Sequence, residues 1–222
     1  FDVMLASNDL RDKVIELQRR FDGKALVLGI DRMDFVKGIP HKLIALEKFL
    51  QANPQWANRI MLVQIATPPK KDTVRYQKLR NKVHKLVGRI NGRFGTLEHS
   101  PIHYLDRAIS FCELCALYLM ADVALITSLR EGMSKVAFEF IACQEIAQGD
   151  GFAAAASTSE KAGTAPAASP RLGVLILSEF VGATQTLGSG ALLVNPFNSD
   201  EVAKAISDAL AMEAKEVEEN HN

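Results

Sequence analysis

The feature that most constrains the fold is an alternation of short, almost wholly apolar runs with longer amphipathic stretches along the 222 residues. The runs at 24–30, 58–66 and 122–127 lack the polar alternation of a strand with one solvated face, so each predicts a strand covered on both faces. Parallel strands of this kind need crossover connections, which are usually helices. We therefore predict an α/β fold with a doubly wound parallel sheet. The other predicted strands cover 102–105, 173–177 and 191–194.

Boundary signals define the helices between these strands. Gly38 opens one helix with Pro40 in its first turn, and Asn198 caps the last helix with Glu201 three residues later. The segment 91–95, NGRFG, predicts a turn after a long basic helix. Further helices are predicted at 8–21, 72–90, 110–119 and 135–143.

Composition and charge favour one globular domain that covers residues 1–222. Hydrophobic residues make up 48% of the chain, and 26 basic residues balance 26 acidic ones, so we expect neither nucleic acid nor a membrane as a partner. The basic side chains of the helix at 72–90 then form a solvated face. Three cysteines are too few for a disulfide framework, and no signal peptide or long apolar run is present, so we expect a cytoplasmic protein.

One segment breaks the alternation of strands and helices. Residues 146–169 are small, polar and rich in Gly, Ala, Ser and Pro, a composition that cannot bury much apolar area. We expect a disordered surface insertion there, because strands and helices resume after it. The first residue is Phe1 rather than Met, which suggests a fragment of a longer chain.

The segment 127–139 is the strongest candidate for a ligand site. It connects a predicted strand to a helix that begins near Lys135, and Gly132 removes a side chain from the connection. The first N–H groups of a helix have no intrahelical partner and can bind a phosphate. Glu131 and Glu139 stand before and inside the helix, where they could contact different parts of one ligand. An ordinary strand-to-helix turn with two solvated acids is the alternative.

A second loop adds positive charge at the end of another predicted strand. Arg32 and Lys37 follow the strand at 24–30, and ligands of open α/β sheets bind beyond the carboxyl ends of the strands. The chain has neither the G-x-G-x-x-G run of a dinucleotide site nor a P-loop. Two cations, a helix N-terminus and two glutamates suit a diphosphate that carries a sugar at each end.

These residues lie in motifs that closely resemble the trehalose-6-phosphate synthase family. The motifs are GIDRMDFVKGIPHKL at 29–43, GRINGRFG at 88–95, PIHYL at 101–105, REGM at 130–133 and LILSEFVGA at 175–183. The resemblance extends over nearly the whole chain except about 145–170. It implies the carboxyl-terminal, Rossmann-like half of a retaining GT-B glycosyltransferase, which moves glucose from UDP-glucose to glucose 6-phosphate without a metal or other cofactor.

The resemblance also implies roles for individual residues. Arg32 and Lys37 match a basic pair on the donor diphosphate, and Glu131 matches a carboxylate beside the donor glucose. Glu139 matches the carboxylate on the ribose hydroxyls, and Ile109 matches a backbone contact to uracil. The remaining donor residues are those at the helix start, namely Gly132, Met133, Ser134, Lys135 and Val136. Glucose 6-phosphate would bind mainly through an amino-terminal domain that this chain lacks.

Four positions depart from the family pattern and leave the function open. Glu131 replaces the usual aspartate, and Ser134 and Lys135 replace asparagine and leucine. Lys70 stands where an arginine helps to hold the acceptor phosphate. An active synthase, a UDP-glucose-binding regulatory subunit of a synthase complex and a structural interaction domain all remain as hypotheses, and a homo-oligomer of the full-length protein stays open.

Overall fold

The structure, a computed structural model, describes residues 7–69, 73–148, 172–212 and 216–217. All six predicted strands are present in it and pair in parallel. They are β1 (Ala25–Arg32), β2 (Ile60–Thr67), β3 (Ile102–Leu105), β4 (Val123–Ile126), β5 (Val174–Ser178) and β6 (Ala191–Val194).

Helices connect the strands and cover both faces of the sheet. Short 3₁₀ turns at Phe35–Lys37 and Pro54–Trp56 flank the second helix. The α-helices are α1 (Asn8–Arg20), α2 (Ile39–Ala52), α3 (Val74–Phe94), α4 (Phe111–Met120), α5 (Lys135–Gln148), α6 (Thr184–Leu187) and α7 (Ser199–Ala211).

The strand order is β3-β2-β1-β4-β5-β6, which confirms the predicted doubly wound parallel sheet. The chain first adds strands on one side of β1 and then returns to add β4, β5 and β6 on the other side. The order therefore reverses between β1 and β4. In open sheets of this kind, the crevice beyond the carboxyl ends of the strands at such a reversal is where ligands bind.

Two hydrophobic layers hold the helices against the sheet. Val27 and Val123 face one layer, which also contains buried residues of α2, α3 and α7. Leu26 and Ala124, their neighbours in sequence, face the other layer with buried residues of α1, α4 and α5. Successive strand side chains point to opposite faces, so both residues of each pair are buried. This explains why the strand sequences are almost continuously apolar.

The predicted turn at 91–95 is wrong, because α3 continues through Phe94. The Asn91 side chain lies on the protein side of the helix, where its amide donates to the Ile102 carbonyl and accepts from the Ile102 N–H, each at 2.9 Å. These bonds tie the helix end to β3 and offset the low helix propensity of Asn91 and Gly92. The tertiary contact was not visible in the local sequence.

Two other boundaries differ from the predictions. Strand β1 extends two residues beyond 30, so that Arg32 is its last residue rather than part of a loop. Helix α5 extends to Gln148, so residues 146–148 are helical, and the rest of the predicted insertion lies outside the described residues.

The cysteines lie where α4 and α5 pack together. Cys115 and Cys143 are buried and unpaired by disulfides. Burial raises the pKa of both thiols, that of Cys143 to about 12, which disfavours the thiolate that metal binding or redox chemistry would need. Within the described ranges, no helix has the length and apolar character required to cross a membrane.

Candidate functional site

The loops that follow β1 and β4 are bonded to each other at the reversal of strand order. The Leu129 N–H donates to the Val36 carbonyl at 2.7 Å. Gly38 has a φ of +67°, and a Cβ added there would lie 2.2 Å from the Thr127 carbonyl oxygen. Only glycine allows both this left-handed conformation and this close approach. The loop that carries the predicted cations is therefore fixed against the loop that carries Glu131.

Lys37 and Glu131 form an ion pair across this crevice. The Lys37 ammonium group donates to one oxygen of the Glu131 carboxylate. The Ser128 hydroxyl donates to the other carboxylate oxygen at 2.8 Å, and Ser128 is fully buried. The sequence predicted Lys37 and Glu131 separately, and the structure brings them together. Ser128 was missed, although its place directly after an apolar strand could have indicated it.

Arg32 lies at the same edge of the sheet but is largely exposed. Its guanidinium group bonds to Asp34 at 3.1 Å, and the Asp34 carboxylate also accepts from the Val36 N–H at the start of the 3₁₀ turn. With its other N–H groups not committed to this bond, Arg32 can still bind an anion in the crevice. Asp34 is a second residue that the sequence reasoning did not single out.

A buried ion pair stabilises the end of β1, from which the loop with Lys37 begins. Lys42 is fully buried and donates to the Asp31 carboxylate at 2.7 Å, and Gln64 donates to the same oxygen at 3.0 Å. A Cβ on Gly29 would lie 2.4 Å from the Gln64 amide oxygen and 2.7 Å from the Lys42 ammonium, so glycine makes room for the cluster. Asp31 directly precedes Arg32, so this cluster fixes the end of β1.

The Glu131 backbone is held by the loop after β5. Its N–H donates to the Phe180 carbonyl at 3.3 Å, and Gly182 donates to the Glu131 and Gly132 carbonyls at 3.1 and 2.8 Å. A Cβ on Gly132 would meet no atom within 4 Å, so the space above it is open. Packing therefore does not require glycine at position 132. At position 182, an added Cβ would lie 3.0 Å from the Gly132 carbonyl oxygen and crowd it.

The helix start after Glu131 presents a mixed surface. Met133 and Lys135 are exposed, Val136 is half-buried, and Ser134 is buried directly before the first helical residue. The exposed Met133 side chain lies beside open space rather than in the core. The predicted helix N-terminus at Lys135 is therefore confirmed, and it stands at the carboxyl end of β4.

Glu139 lies one turn inside α5 and is bonded to α4. The Tyr118 hydroxyl donates to one oxygen of its carboxylate at 2.9 Å. Ile109 lies half-buried in the loop before α4 and packs against the hydrophobic layer on that face of the sheet. Lys70 lies outside the described residues. In the described part of the chain, no group of three or more His, Cys, Asp or Glu side chains could hold a metal ion.

The comparison with protein families decides the classification, because the model of glycosyltransferase family 20 matches residues 1–222. The chain belongs to glycosyltransferase family 20. It is 51% identical over 206 residues to the Arabidopsis thaliana protein named alpha,alpha-trehalose-phosphate synthase [UDP-forming] 1. That alignment covers 93% of this chain and 19% of the relative.

Two solved structures share the fold. One is described as trehalose-6-phosphate from E. coli bound with UDP-2-fluoro glucose, with 33% identity and a TM-score of 0.80 over 95% of this chain and 41% of that one. The other is an alpha,alpha-trehalose-phosphate synthase (UDP-forming) from Burkholderia xenovorans in complex with glucose-6-phosphate. Its identity is 32% and its TM-score 0.82, over 98% of this chain and 43% of that one. This family 20 chain therefore spans about a fifth to two fifths of these relatives.

Proposed function

We propose that this chain is the UDP-glucose-binding part of a UDP-forming alpha,alpha-trehalose-phosphate synthase. The complete protein would transfer glucose, with retention, from UDP-glucose to glucose 6-phosphate and release trehalose 6-phosphate and UDP. The observation that carries the proposal is the pairing of Lys37 with Glu131 at the reversal of strand order, beside Arg32. The relatives with bound UDP-2-fluoro glucose and glucose-6-phosphate support both substrates.

In this proposal the crevice stabilises the leaving group. When the bond between the anomeric carbon and the phosphate oxygen breaks, negative charge grows on UDP. Arg32 and Lys37 stand at the edge where that charge would develop, and the N-terminus of α5 adds a partial positive charge. These groups lower the free energy of the transition state more than that of the bound substrate, which is the condition for catalysis.

The remaining residues would hold the two ends of the donor. Glu131 takes hydroxyl groups of the glucose, and Glu139 takes the ribose hydroxyls. Ile109 contacts the uracil through its backbone. Backbone groups of 132–136 face the phosphate and sugar. Because these contacts are made by the main chain, they do not depend on the Ser134 and Lys135 side chains. Lys70 would meet the acceptor phosphate as a point charge.

Calorimetric titration with UDP tests the site directly. Replacing Arg32 or Lys37 by Ala should weaken UDP binding by about 1.5–3 kcal/mol, the range for hydrogen bonds to charged groups. Lys48→Ala is the matched control, because Lys48 pairs with Asp200 on the exposed sides of α2 and α7. If both crevice variants bound UDP as the unmodified protein does, the site assignment would be wrong.

Product analysis tests the reaction class. Transfer needs the acceptor hydroxyl held against the anomeric carbon, and such proximity can account for about 7–11 kcal/mol of a barrier. The described residues supply one wall of a cleft, so the 222-residue chain should bind UDP-glucose without making trehalose 6-phosphate. A complete synthase is the positive control. Trehalose 6-phosphate formed by this chain alone would place the acceptor site on it.

A further inference from the structure

The hydroxyl of Tyr118 is the one group among the described residues that hydrogen-bonds to the Glu139 carboxylate. The donor–acceptor distance is 2.9 Å and the acceptor is Oε2. Glu139 Oε1 has no hydrogen-bond partner in the same part of the chain. One carboxylate oxygen is thus held by the protein, and the other remains available to a ligand.

Tyr118 is itself rigidly placed. Its side chain is fully buried, and its ring meets Phe140 edge-on with the centroids 6.4 Å apart. Gln144 donates to the Tyr118 carbonyl at 2.6 Å and accepts from the Gly173 N–H at 3.0 Å, which ties the end of α4 to α5 and to the start of β5. The hydroxyl therefore cannot follow the carboxylate if Glu139 changes its rotamer.

The hydrogen-bond direction is also fixed. Burial and the neighbouring Glu139 carboxylate raise the pKa of Tyr118 well above its ordinary value, so the phenol stays protonated and donates. A carboxylate has about four acceptor positions. A donor on one oxygen restricts rotation about the last side-chain torsion, which otherwise has a broad, roughly two-fold profile.

We propose that Tyr118 is a positioning residue that orients the Glu139 carboxylate toward a vicinal diol, and so sets the preference of this site for ribonucleotides over 2′-deoxyribonucleotides. The inference rests on the proposed function, which places ribose at Glu139. Two adjacent hydroxyls can donate to one carboxylate only when its plane is correctly turned. A 2′-deoxyribose offers a single hydroxyl and needs no such alignment.

Calorimetry with UDP and 2′-deoxy-UDP on the unmodified protein and on Tyr118→Phe tests the proposal. Phenylalanine keeps the ring and its contact with Phe140, and a thermal melt verifies that the variant is folded. The unmodified protein should prefer UDP by at least about tenfold, the lower end for a hydrogen bond to a charged group. In Tyr118→Phe we expect UDP affinity to fall about three- to tenfold and 2′-deoxy-UDP affinity to change less than about twofold.

A second pair of variants separates positioning from packing. Glu139→Gln should also lose the preference for UDP over 2′-deoxy-UDP. Adding Tyr118→Phe to this variant should not change the ratio of the two affinities further, because the Tyr118 hydroxyl acts through the Glu139 carboxylate. Tyr104→Phe is the control, since the Tyr104 hydroxyl is buried without a hydrogen-bond partner in the described ranges. It should leave both affinities unchanged.

The outcomes distinguish this inference from the proposed function. If Tyr118→Phe left the ratio of UDP affinity to 2′-deoxy-UDP affinity unchanged, the positioning role would be overturned, while the UDP site would stand. Equal losses for both nucleotides would be one such result. If the unmodified protein bound neither nucleotide, the proposed function and this inference would both fail. The proposal is supported if Tyr118→Phe lowers the ratio of UDP affinity to 2′-deoxy-UDP affinity in the unmodified protein. The same substitution must leave this ratio unchanged in the Glu139→Gln protein.

Discussion

Lys37 donates a hydrogen bond to Glu131, and this ion pair connects the loop after β1 to the loop after β4. Both side chains are mostly buried, with 15% and 18% of their surfaces exposed. The proposed function assigns Lys37 to the diphosphate of the donor. The Glu131 carboxylate therefore takes up one of the N–H groups of Lys37 that the proposed diphosphate would need. In the proposed complex, Glu131 and UDP would compete for the same ammonium group.

We expect Glu131→Gln to raise UDP affinity by about three- to tenfold, or about 0.7–1.4 kcal/mol, because it removes a negative charge beside the diphosphate. The affinity for UDP-glucose should rise less or fall, since the proposed function also has Glu131 accept hydrogen bonds from the sugar. Calorimetry with both ligands measures the difference. Glu145→Gln, on the exposed side of α5, is the matched control. Parallel losses for UDP and UDP-glucose would refute the competition.

Gly38→Ala should lower the free energy of unfolding by about 2–4 kcal/mol, because it combines a left-handed backbone with a clash against a carbonyl oxygen. UDP affinity should fall with it, since the loop that carries Lys37 would move. Denaturant unfolding and UDP titration measure the two effects.

Gly92→Ala is the control for this change. Gly92 lies in α3, and a Cβ there would meet no atom within 4 Å. The substitution should stabilise the protein by about 0.5–1 kcal/mol, because alanine favours the helix more than glycine does. A Gly38→Ala protein as stable as the parent would show that the crevice loops are not held by this contact.

The fold could be predicted from sequence because its signals are local. Strands buried on both faces appear in the sequence as nearly continuous apolar runs. The helix cap at Asn198 is indicated by residues close to it in sequence, and its side chain accepts from the Glu201 N–H. The extension of α3 through Asn91 could not be predicted in this way, because it depends on side-chain hydrogen bonds to Ile102 in another element, β3. Such tertiary contacts can override weak helix propensity.

The sequence predicted the charged residues of the candidate site. It did not predict the residues that hydrogen-bond to their side chains. Arg32 ends strand β1, and Lys37 and Glu131 lie in the loops after β1 and β4, so their location at one edge followed from the topology. Ser128 and Tyr118 act through hydrogen bonds to residues on the same edge, and no spacing rule marks such partners. The roles of all these residues in binding remain predictions.

Deleting residues 150–169 and joining the ends with a short Gly-Ser bridge should change the melting temperature and the UDP affinity little. The segment contains one large apolar residue, Phe152, and otherwise small or polar ones, so its composition predicts little buried area. The cut leaves helix α5 intact through Gln148. A melting temperature lowered by many degrees would show that the segment packs against the domain.

Stability should decrease as the pH falls from 7 to 5, in part through His99. This ring is buried beside the Ile60 carbonyl at 3.0 Å, and burial, with a smaller effect of Lys24, lowers its pKa below the ordinary value of about 6.5. The unfolded chain then binds the proton more readily than the folded one. The contribution of His99 is fully present above about pH 6.5 and is lost as the pH falls through the lowered pKa of the folded state.

His99→Gln should therefore show a smaller loss of melting temperature between pH 7 and 5 than the parent protein. Thermal melts at half-unit pH intervals measure the two slopes. Parallel slopes would mean that His99 does not contribute. His41 and His103, whose pKa values are also lowered by burial, would account for the slope that remains.

Strand β1 is bonded to β4, and the Leu26 N–H donates to the Asp122 carboxylate 96 positions later at 2.7 Å. At about 5–20 residues per second, a ribosome takes roughly 5–20 s to synthesise the residues between them. Of the two strands that flank β1 in the sheet, only β2 is available during that interval, so the edge that pairs with β4 lacks its partner strand. The crevice between the loops after β1 and β4 cannot form before β4 is made, so UDP bound there, as proposed, could not assist the folding of earlier residues during translation.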